Sequence, residues 1–159
     1  MNLTDIINID TIINSFEAKS KDQAIDYLLN HLKEKAYLTG TVKLFSILHE
    51  KEKEDSSATG RGVAMPHGVS KEISNPVGVF AISKNGINFN SPDGQLCHYI
   101  FLTLSPYTSP NEHRKIIGKF RKMIYLSPVR SELLNKNNNT DIFNIISNWE
   151  QEFDRIENI

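Results

Sequence analysis

The chain has 159 residues, of which 39% are hydrophobic and 23% are charged, and its formal net charge is −1. This balance gives no electrostatic reason to expect nucleic acid or an anionic membrane as a partner. The single cysteine, Cys97, excludes a disulfide within the chain, which fits a reducing compartment. No segment approaches the roughly 18 apolar residues of a membrane span, and the first residues lack a signal-peptide pattern. We therefore expect one cytoplasmic domain over residues 1–159, with no direct membrane insertion.

The first part of the chain predicts a strand followed by two helices. Residues 11–16 are β-branched and aromatic enough for a strand. Ser20 and Gln23 have the spacing of a capping box, and apolar residues follow them at helical spacing. A second helix is expected from Val42 to about Lys53, with Val42 on its buried face.

The middle of the chain predicts a polar loop, a turn and three strands. The stretch DSSATGRG (residues 55–62) is rich in Ser, Thr and Gly, as loops are. After the short apolar run VAM, the Pro-His-Gly triplet at 66–68 predicts a turn, because proline fixes one backbone dihedral and glycine permits a sharp change of direction. Apolar runs predict strands over residues 77–82, 86–89 and 98–104.

The last third of the chain predicts three helices. Ser109 is placed as an N-cap, Pro110 at the first helical position, and Glu112 as the partner in a second capping box. Two further helices are expected over residues 128–134 and 141–153. Helices before, between and after short strands indicate an α/β fold, with a mixed sheet of about five strands flanked by helices on both faces.

Among the five histidines, His67 has the most constrained position. It stands at the end of a short apolar run, between a proline and a glycine. It could be a turn residue, a metal ligand or a nucleophile held toward solvent. A zinc site would require His98 and His113 to join it in space, but the chain has no His-Glu-x-x-His or Cys-x-x-Cys pattern, and we expect no metal. The Gly-x-Ser-x-Gly elbow of many hydrolases is also missing.

His113 falls in the first turn of the helix that Ser109 is predicted to cap, directly after Glu112. Free backbone N–H groups and the positive end of the helix dipole make such a turn suitable for an anion. A neutral histidine there can donate a hydrogen bond to an anionic oxygen. The preceding Ser/Thr/Gly loop supplies the hydroxyls of Ser57 and Thr59, which also suit phosphate, although it is not a Walker loop.

The segment GRGVAMPHG (residues 60–68) is followed by a strand, a DG turn, a second strand and the tripeptide NEH at the start of a helix. This series resembles the IIA domains of the fructose/mannitol type, which belong to the bacterial phosphoenolpyruvate-dependent sugar phosphotransferase system. The nitrogen-regulatory branch of the family shares the same core. The resemblance extends from about Ile12 to about Phe153, and the second histidine arrives at the distance that the family requires.

The resemblance implies a phosphotransferase without a cofactor. His67 would accept a phosphoryl group from the phosphocarrier protein HPr and pass it to a IIB component of a sugar permease. His113 would hold the phosphoryl oxygens. In the alternative, typical of the nitrogen branch, the chain is a regulatory phosphoprotein that binds target proteins according to the phosphorylation of His67.

The chain departs from the family pattern upstream of His67. The family usually has an Arg-Glu pair where this chain has Lys51 and Glu52. Lysine keeps the positive charge but loses the planar, two-pronged donor, which Arg61 or Arg114 could supply instead. We expect supporting or phosphate-binding roles for five residues: Lys51, Ser57, Thr59, Arg61 and Glu112.

Overall fold

The structure is a computed structural model that describes residues 1–158. Two short 3₁₀ helices, Leu3–Asp5 and Ile9–Thr11, precede the main elements. In chain order these are β1 (Ile12–Ile13), α1 (Lys21–Glu34), α2 (Val42–Glu54), β2 (Ala58–Gly60), β3 (Val63–Ala64), β4 (His67–Val69), β5 (Val77–Ile87), β6 (Cys97–Ser105), α3 (Pro110–Leu126), α4 (Val129–Leu134) and α5 (Asn139–Glu157). Among these residues no helix combines the length and apolarity needed to cross a bilayer.

The strands form one mixed, six-stranded sheet in the order β1-β5-β6-β3-β2, with β4 also paired to β6. Strands β5 and β6 are antiparallel, whereas β3 and β4 both run parallel to β6. The two short strands pair with different stretches of β6: Val63 lies opposite Tyr99, and His67 lies opposite Thr103. The backbone around His67 is therefore held against the carboxyl-terminal half of a central, buried strand.

Alternating residues of β5 and β6 build two separate cores, one on each face of the sheet. On one face, residues of both strands pack against α1 and α2; this set includes Val79, Ala81, Ile100, Leu102, Leu28 and Leu48. On the other face they pack against the N-terminal segment and α3, α4 and α5; this set includes Phe80, Phe101, Phe120, Leu133 and Ile146. Helices thus cover both faces, and the predicted α/β class is confirmed.

The two helix starts differ in how far they follow the predicted capping boxes. The Oγ atom of Ser20 accepts a hydrogen bond from the backbone N–H of Gln23 at 3.1 Å, which confirms the cap of α1. The Gln23 side chain, however, accepts from the N–H of Lys19 and not from that of Ser20. Ser109 makes no side-chain cap at α3, so the second capping box is wrong, although Pro110 does begin that helix.

The predicted turn at residues 66–68 is wrong, because His67–Val69 form strand β4. Gly68 does not have a left-handed backbone. Its role is close packing, since a Cβ atom there would lie 3.3 Å from Cδ2 of Leu48 and 3.4 Å from Cγ2 of Ile47. The glycine therefore allows α2 to approach the strand that carries His67.

The predicted loop at residues 55–62 contains strand β2 and a tight hairpin to β3. Gly60, Arg61 and Gly62 all have positive φ values, of 94°, 57° and 79°, and reverse the chain there. The two glycines of the Gly-Arg-Gly segment are needed at these positions, because glycine adopts a positive φ without a steric cost.

Three further predictions need correction. The early strand covers only Ile12–Ile13. The two strands predicted at 77–82 and 86–89 are joined in the single strand β5, which ends at Ile87 and has an irregularity between Ile82 and Ile87. Val42 is 84% exposed, because it begins α2 and points away from the sheet.

Candidate active site

The parallel pairing of β4 with β6, and the start of α3 soon after β6, bring the two singled-out histidines together. The ring centroids of His67 and His113 lie 5.7 Å apart, with an angle of 59° between the ring planes. The two residues are distant in the sequence, yet their rings are neighbours at the carboxyl-terminal end of β6.

His67 is exposed, and its ring is held by a backbone carbonyl. Its Nδ1 atom lies 3.0 Å from the oxygen of Met65. A carbonyl can only accept, so Nδ1 carries the proton in this contact. The lone pair of the neutral ring is consequently on Nε2. The site therefore presents one free, nucleophilic nitrogen to solvent.

His113 is buried, with only 8% of its surface exposed. Burial, together with the nearby His67 and Lys51, lowers the pKa of His113 to about 4. The imidazole is therefore neutral at pH 7. Its Nε2 atom lies 2.7 Å from Oγ1 of Thr103, so the ring is fixed on the side of the pocket facing the sheet.

Lys51, in the last turn of α2, reaches the same place from the opposite side. Its Nζ atom donates a hydrogen bond of 2.6 Å to the backbone oxygen of His67. Partial burial lowers the pKa of Lys51, and the neighbouring Glu52 acts in the opposite direction. The position predicted to replace the family arginine thus lies in contact with His67.

Glu52 and Ser57 lie beside Lys51 and are hydrogen-bonded to each other. The buried Glu52 carboxylate accepts from the N–H of Ser57, at 3.1 Å and 3.3 Å to its two oxygens, and lies 3.7 Å from Nζ of Lys21. The Oγ atom of Ser57 is buried and makes no hydrogen bond within residues 1–158. The residue Ser57 also lines, together with Lys51 and His67, a cavity of about 190 Å³.

Thr59 and Arg61 lie elsewhere, and the expectation that they belong to the same site is wrong. The hydroxyl of Thr59 contacts the hydroxyl of Tyr125, and the Arg61 guanidinium lies 5.2 Å from the centroid of the Tyr125 ring. Tyr125 is near the end of α3, about 18 Å along the helix from His113 at a rise of 1.5 Å per residue. The hairpin between β2 and β3 directs both side chains away from His67.

Glu112 and Arg114 flank His113 on the exposed side of the first turn of α3. Neither makes a hydrogen bond to a histidine in the part of the chain that the structure describes. His98 is also separate from the pocket, because its Nδ1 atom bonds the oxygen of Ser83 at 2.8 Å, at the other end of β6. Over residues 1–158 no three side chains of the His, Cys, Asp and Glu types are grouped closely enough for a metal ion.

The comparison with known families decides the family of the chain. The family model "Phosphoenolpyruvate-dependent sugar phosphotransferase system, EIIA 2" matches residues 5–149. The chain belongs to this EIIA family. The resemblance read from GRGVAMPHG and NEH is thereby confirmed.

Relatives of this EIIA chain come from both branches of the family. The fructose-specific EIIABC component of Bacillus subtilis (strain 168) is 26% identical over 147 residues, which are 92% of this chain but 23% of that protein. The nitrogen regulatory protein of Bradyrhizobium diazoefficiens is 28% identical over 149 residues, which are 92% of this chain and 95% of that protein. Sequence similarity therefore leaves the sugar-specific and regulatory branches both open.

Solved EIIA structures have the same fold. The nitrogen regulatory protein IIA-Ntr of Neisseria meningitidis matches with a TM-score of 0.82 at 24% identity, over 91% of this chain and 98% of that one. The IIAMTL chain in the Escherichia coli complex with phosphorylated IIBMTL matches with a TM-score of 0.75 at 17% identity, over 89% and 96%. The likeness covers the sheet and the helices on both its faces.

Two contacts of the EIIA site were not predicted from the sequence. The contact with the Met65 carbonyl could not be predicted from the sequence, because every residue has a backbone carbonyl group. Thr103 does leave a signal, since it is a polar residue between Leu102 and Leu104 in the apolar stretch HYIFLTL. A buried hydroxyl of this kind needs a partner, and here the partner is His113.

Proposed function

We propose that this EIIA protein is a phosphoryl carrier, in which Nε2 of His67 accepts a phosphoryl group from phosphorylated HPr and passes it to a IIB component. The observation that carries the proposal is the hydrogen bond between Nδ1 of His67 and the oxygen of Met65. It leaves the lone pair on the exposed nitrogen, at a ring that lies 5.7 Å from a second, neutral imidazole.

The chemistry is a direct, in-line transfer between two nitrogen atoms. As the P–N bond of the donor phosphohistidine breaks, the lone pair of Nε2 forms a new P–N bond, and the donor ring recovers its own lone pair. The His67 ring then carries a positive charge, which the Met65 carbonyl stabilises through the Nδ1 proton. In the onward step the P–N bond to Nε2 of His67 breaks, the ring recovers its lone pair, and the phosphoryl group bonds to the acceptor side chain of the IIB component, usually a cysteine sulfur.

The rest of the pocket stabilises the moving phosphoryl group. Its transition state is loose, with negative charge on the three peripheral oxygens, so catalysis depends on placed donors and positive charge. The neutral ring of His113 supplies a donor, and the Lys51 ammonium supplies positive charge while holding the backbone of His67. Ser57 lines the same cavity as Lys51 and His67, and its hydroxyl is unpaired within residues 1–158.

The proposed partners are proteins, and the exposure of His67 suits them. EIIA domains of this system pair with IIB components, and the similar Escherichia coli structure is a complex of IIAMTL with phosphorylated IIBMTL. Both HPr and IIB act in the cytoplasm, which is where we place this chain. Uptake of a fructose- or mannitol-type sugar is the corresponding process.

A regulatory role is the second candidate, and one observation favours it. The nitrogen regulatory relative is matched over 95% of its length. In that case the phosphoryl group on His67 changes the affinity of the protein for its targets and is not passed to a sugar permease.

Phosphorylation with phosphoenolpyruvate, enzyme I and HPr tests the proposed site. We expect one acid-labile phosphoryl group per chain, measured by intact mass. The variant His67→Gln abolishes it, whereas the matched control His31→Gln retains it, because His31 lies on α1 and its ring bonds the oxygen of Asp10. Normal labelling of His67→Gln would refute the site.

A chase of the phosphorylated protein with purified IIB components separates the two roles. Rapid loss of the phosphoryl group to a fructose- or mannitol-type IIB supports the carrier. Retention of the phosphoryl group with every IIB component favours the regulatory alternative.

A further inference from the structure

Thr103 is a buried polar residue near the carboxyl-terminal end of β6. It is only 1% exposed, and it lies in β6 between Leu102 and Leu104, which belong to the core under α1 and α2. Alternation along the strand places its side chain on the opposite face, beneath α3. Its backbone N–H donates to the oxygen of Pro66 at 3.0 Å, and it lies opposite His67 in the sheet.

The side chain of Thr103 has a single hydrogen-bond partner among residues 1–158. This partner is Nε2 of His113, 2.7 Å from Oγ1. A buried hydroxyl always carries a proton that needs an acceptor. Because no other acceptor is bonded to it, the hydroxyl donates and Nε2 of His113 accepts.

This direction of the hydrogen bond determines the tautomer of His113. The buried ring is neutral at pH 7, so it has one proton. With Nε2 accepting from Thr103, that proton is on Nδ1. Within the described chain, Nδ1 makes no hydrogen bond to protein, and it therefore remains free to donate to an incoming oxygen.

We propose that Thr103 is a positioning residue, whose hydroxyl fixes His113 in the Nδ1–H tautomer so that this ring donates to the phosphoryl group on His67. The inference rests on the proposed function of His67. The opposite tautomer would direct a lone pair toward the phosphoryl oxygens and repel them. Strand β6 thus serves both histidines, pairing with the backbone of one and orienting the ring of the other.

The tautomer can be measured directly in the wild-type protein, without any phosphoryl transfer. Uniformly ¹⁵N-labelled full-length chain at pH 7 gives long-range ¹H–¹⁵N correlations for each imidazole. We expect a protonated Nδ1 and an unprotonated Nε2 at His113, assigned by comparison with His113→Gln. A protonated Nε2 at His113 would overturn the proposal, whatever any variant does.

Two substitutions of Thr103 test its effect on transfer. Thr103→Val keeps the shape and removes the hydroxyl, so we expect a mixture of His113 tautomers and phosphorylation of His67 slowed by about tenfold, less than the roughly hundredfold effect of deleting a donor itself. Thr103→Ser keeps the hydroxyl, so we expect the wild-type tautomer of His113 and the wild-type rate of His67 phosphorylation. A merely structural role would change stability in Thr103→Val without altering the tautomer.

The outcomes separate this inference from the proposed function. Wild-type rate and unchanged tautomer in folded Thr103→Val would overturn the role of Thr103 while the carrier function stands. If the wild-type chain accepts no phosphoryl group but carries the His113 proton on Nδ1, the proposed function fails and the hydrogen-bond assignment stands.

Discussion

The Nζ atom of Lys51 donates a 2.6 Å hydrogen bond to the backbone oxygen of His67. A positive charge from the end of α2 is thus fixed against the strand that carries the proposed nucleophile. Lysine occupies the place where the family usually has arginine, and its single ammonium group makes one contact where a guanidinium could make two. The lysine at this position therefore still brings a positive charge into contact with the backbone of His67.

Replacement of Lys51 should slow the phosphorylation of His67. Lys51→Met removes the charge and the bond to the His67 backbone, so we expect the rate of phosphorylation by HPr to fall about tenfold. Lys51→Arg retains both the charge and a donor and should remain near the wild-type rate. Lys53→Met is the matched control, because Lys53 lies on the same helix and pairs with the exposed Glu50. Equal rates for the two methionine variants would contradict a role for Lys51.

Burial of His113 should make the stability of the protein depend on pH. Its pKa is lowered to about 4 in the folded protein, from 6.5 when unperturbed. Between these values the unfolded chain binds more protons, so the stabilisation is complete above pH 6.5 and is lost as the pH falls toward 4. From pH 7 to pH 5 we expect this residue to account for a loss of about 2 kcal/mol in the free energy of unfolding.

Urea unfolding of the wild type and of His113→Gln between pH 7 and pH 5 measures how much His113 contributes to the pH dependence of the free energy of unfolding. The variant lacks the titrating ring, so its stability should change less between pH 7 and pH 5. Parallel pH profiles for the two proteins would show that His113 is not held neutral by the fold.

The pairing of β5 with β6 should be sensitive to a single methyl group at Gly78. This residue lies opposite Thr103, and a Cβ atom there would lie 2.7 Å from Cγ2 of Ile6 and 3.0 Å from the backbone oxygen of Leu102. The strand backbone cannot yield easily, so Gly78→Ala should cost about 2 kcal/mol of stability. Gly118→Ala is the control, because its Cβ meets nothing within 4 Å beyond the backbone of its own helix.

Chemical denaturation at neutral pH distinguishes the two alanine variants. Gly118 lies inside α3, where alanine is favoured over glycine by about 1 kcal/mol, so its replacement should raise stability. Shifts of the same sign for both variants would contradict the packing described at Gly78.

The helices were the most predictable part of the fold, because their apolar spacing and start signals are local. Ser20 marks the start of α1, and Pro110 marks that of α3, as the structure shows. Strands β2, β3 and β4 have only two or three residues each, so no alternating pattern could reveal them. Strands β3 and β4 form because β6 offers them a partner, and β2 forms by pairing with β3; both partners are properties of the whole sheet.

The same contrast applies to the site. His67 and His113 could be singled out because proline, glycine and a helix start constrain their positions in the sequence. Thr59 and Arg61 were grouped with His67 because they are close to it in sequence, but the Gly60–Gly62 hairpin turns them toward Tyr125. Contacts that depend on the register between strands, such as that of Thr103, required the structure.

The central claim is that Nε2 of His67 is the atom that carries the phosphoryl group, since Nδ1 is engaged by the oxygen of Met65. Phosphorylation of ¹⁵N-labelled protein by phosphoenolpyruvate, enzyme I and HPr, followed by ¹H–¹⁵N and ³¹P NMR, identifies the modified nitrogen. The account predicts one phosphorylated imidazole, at Nε2 of His67, with its Nδ1 still protonated. A phosphoryl group on Nδ1 of His67, or on His113, would contradict it.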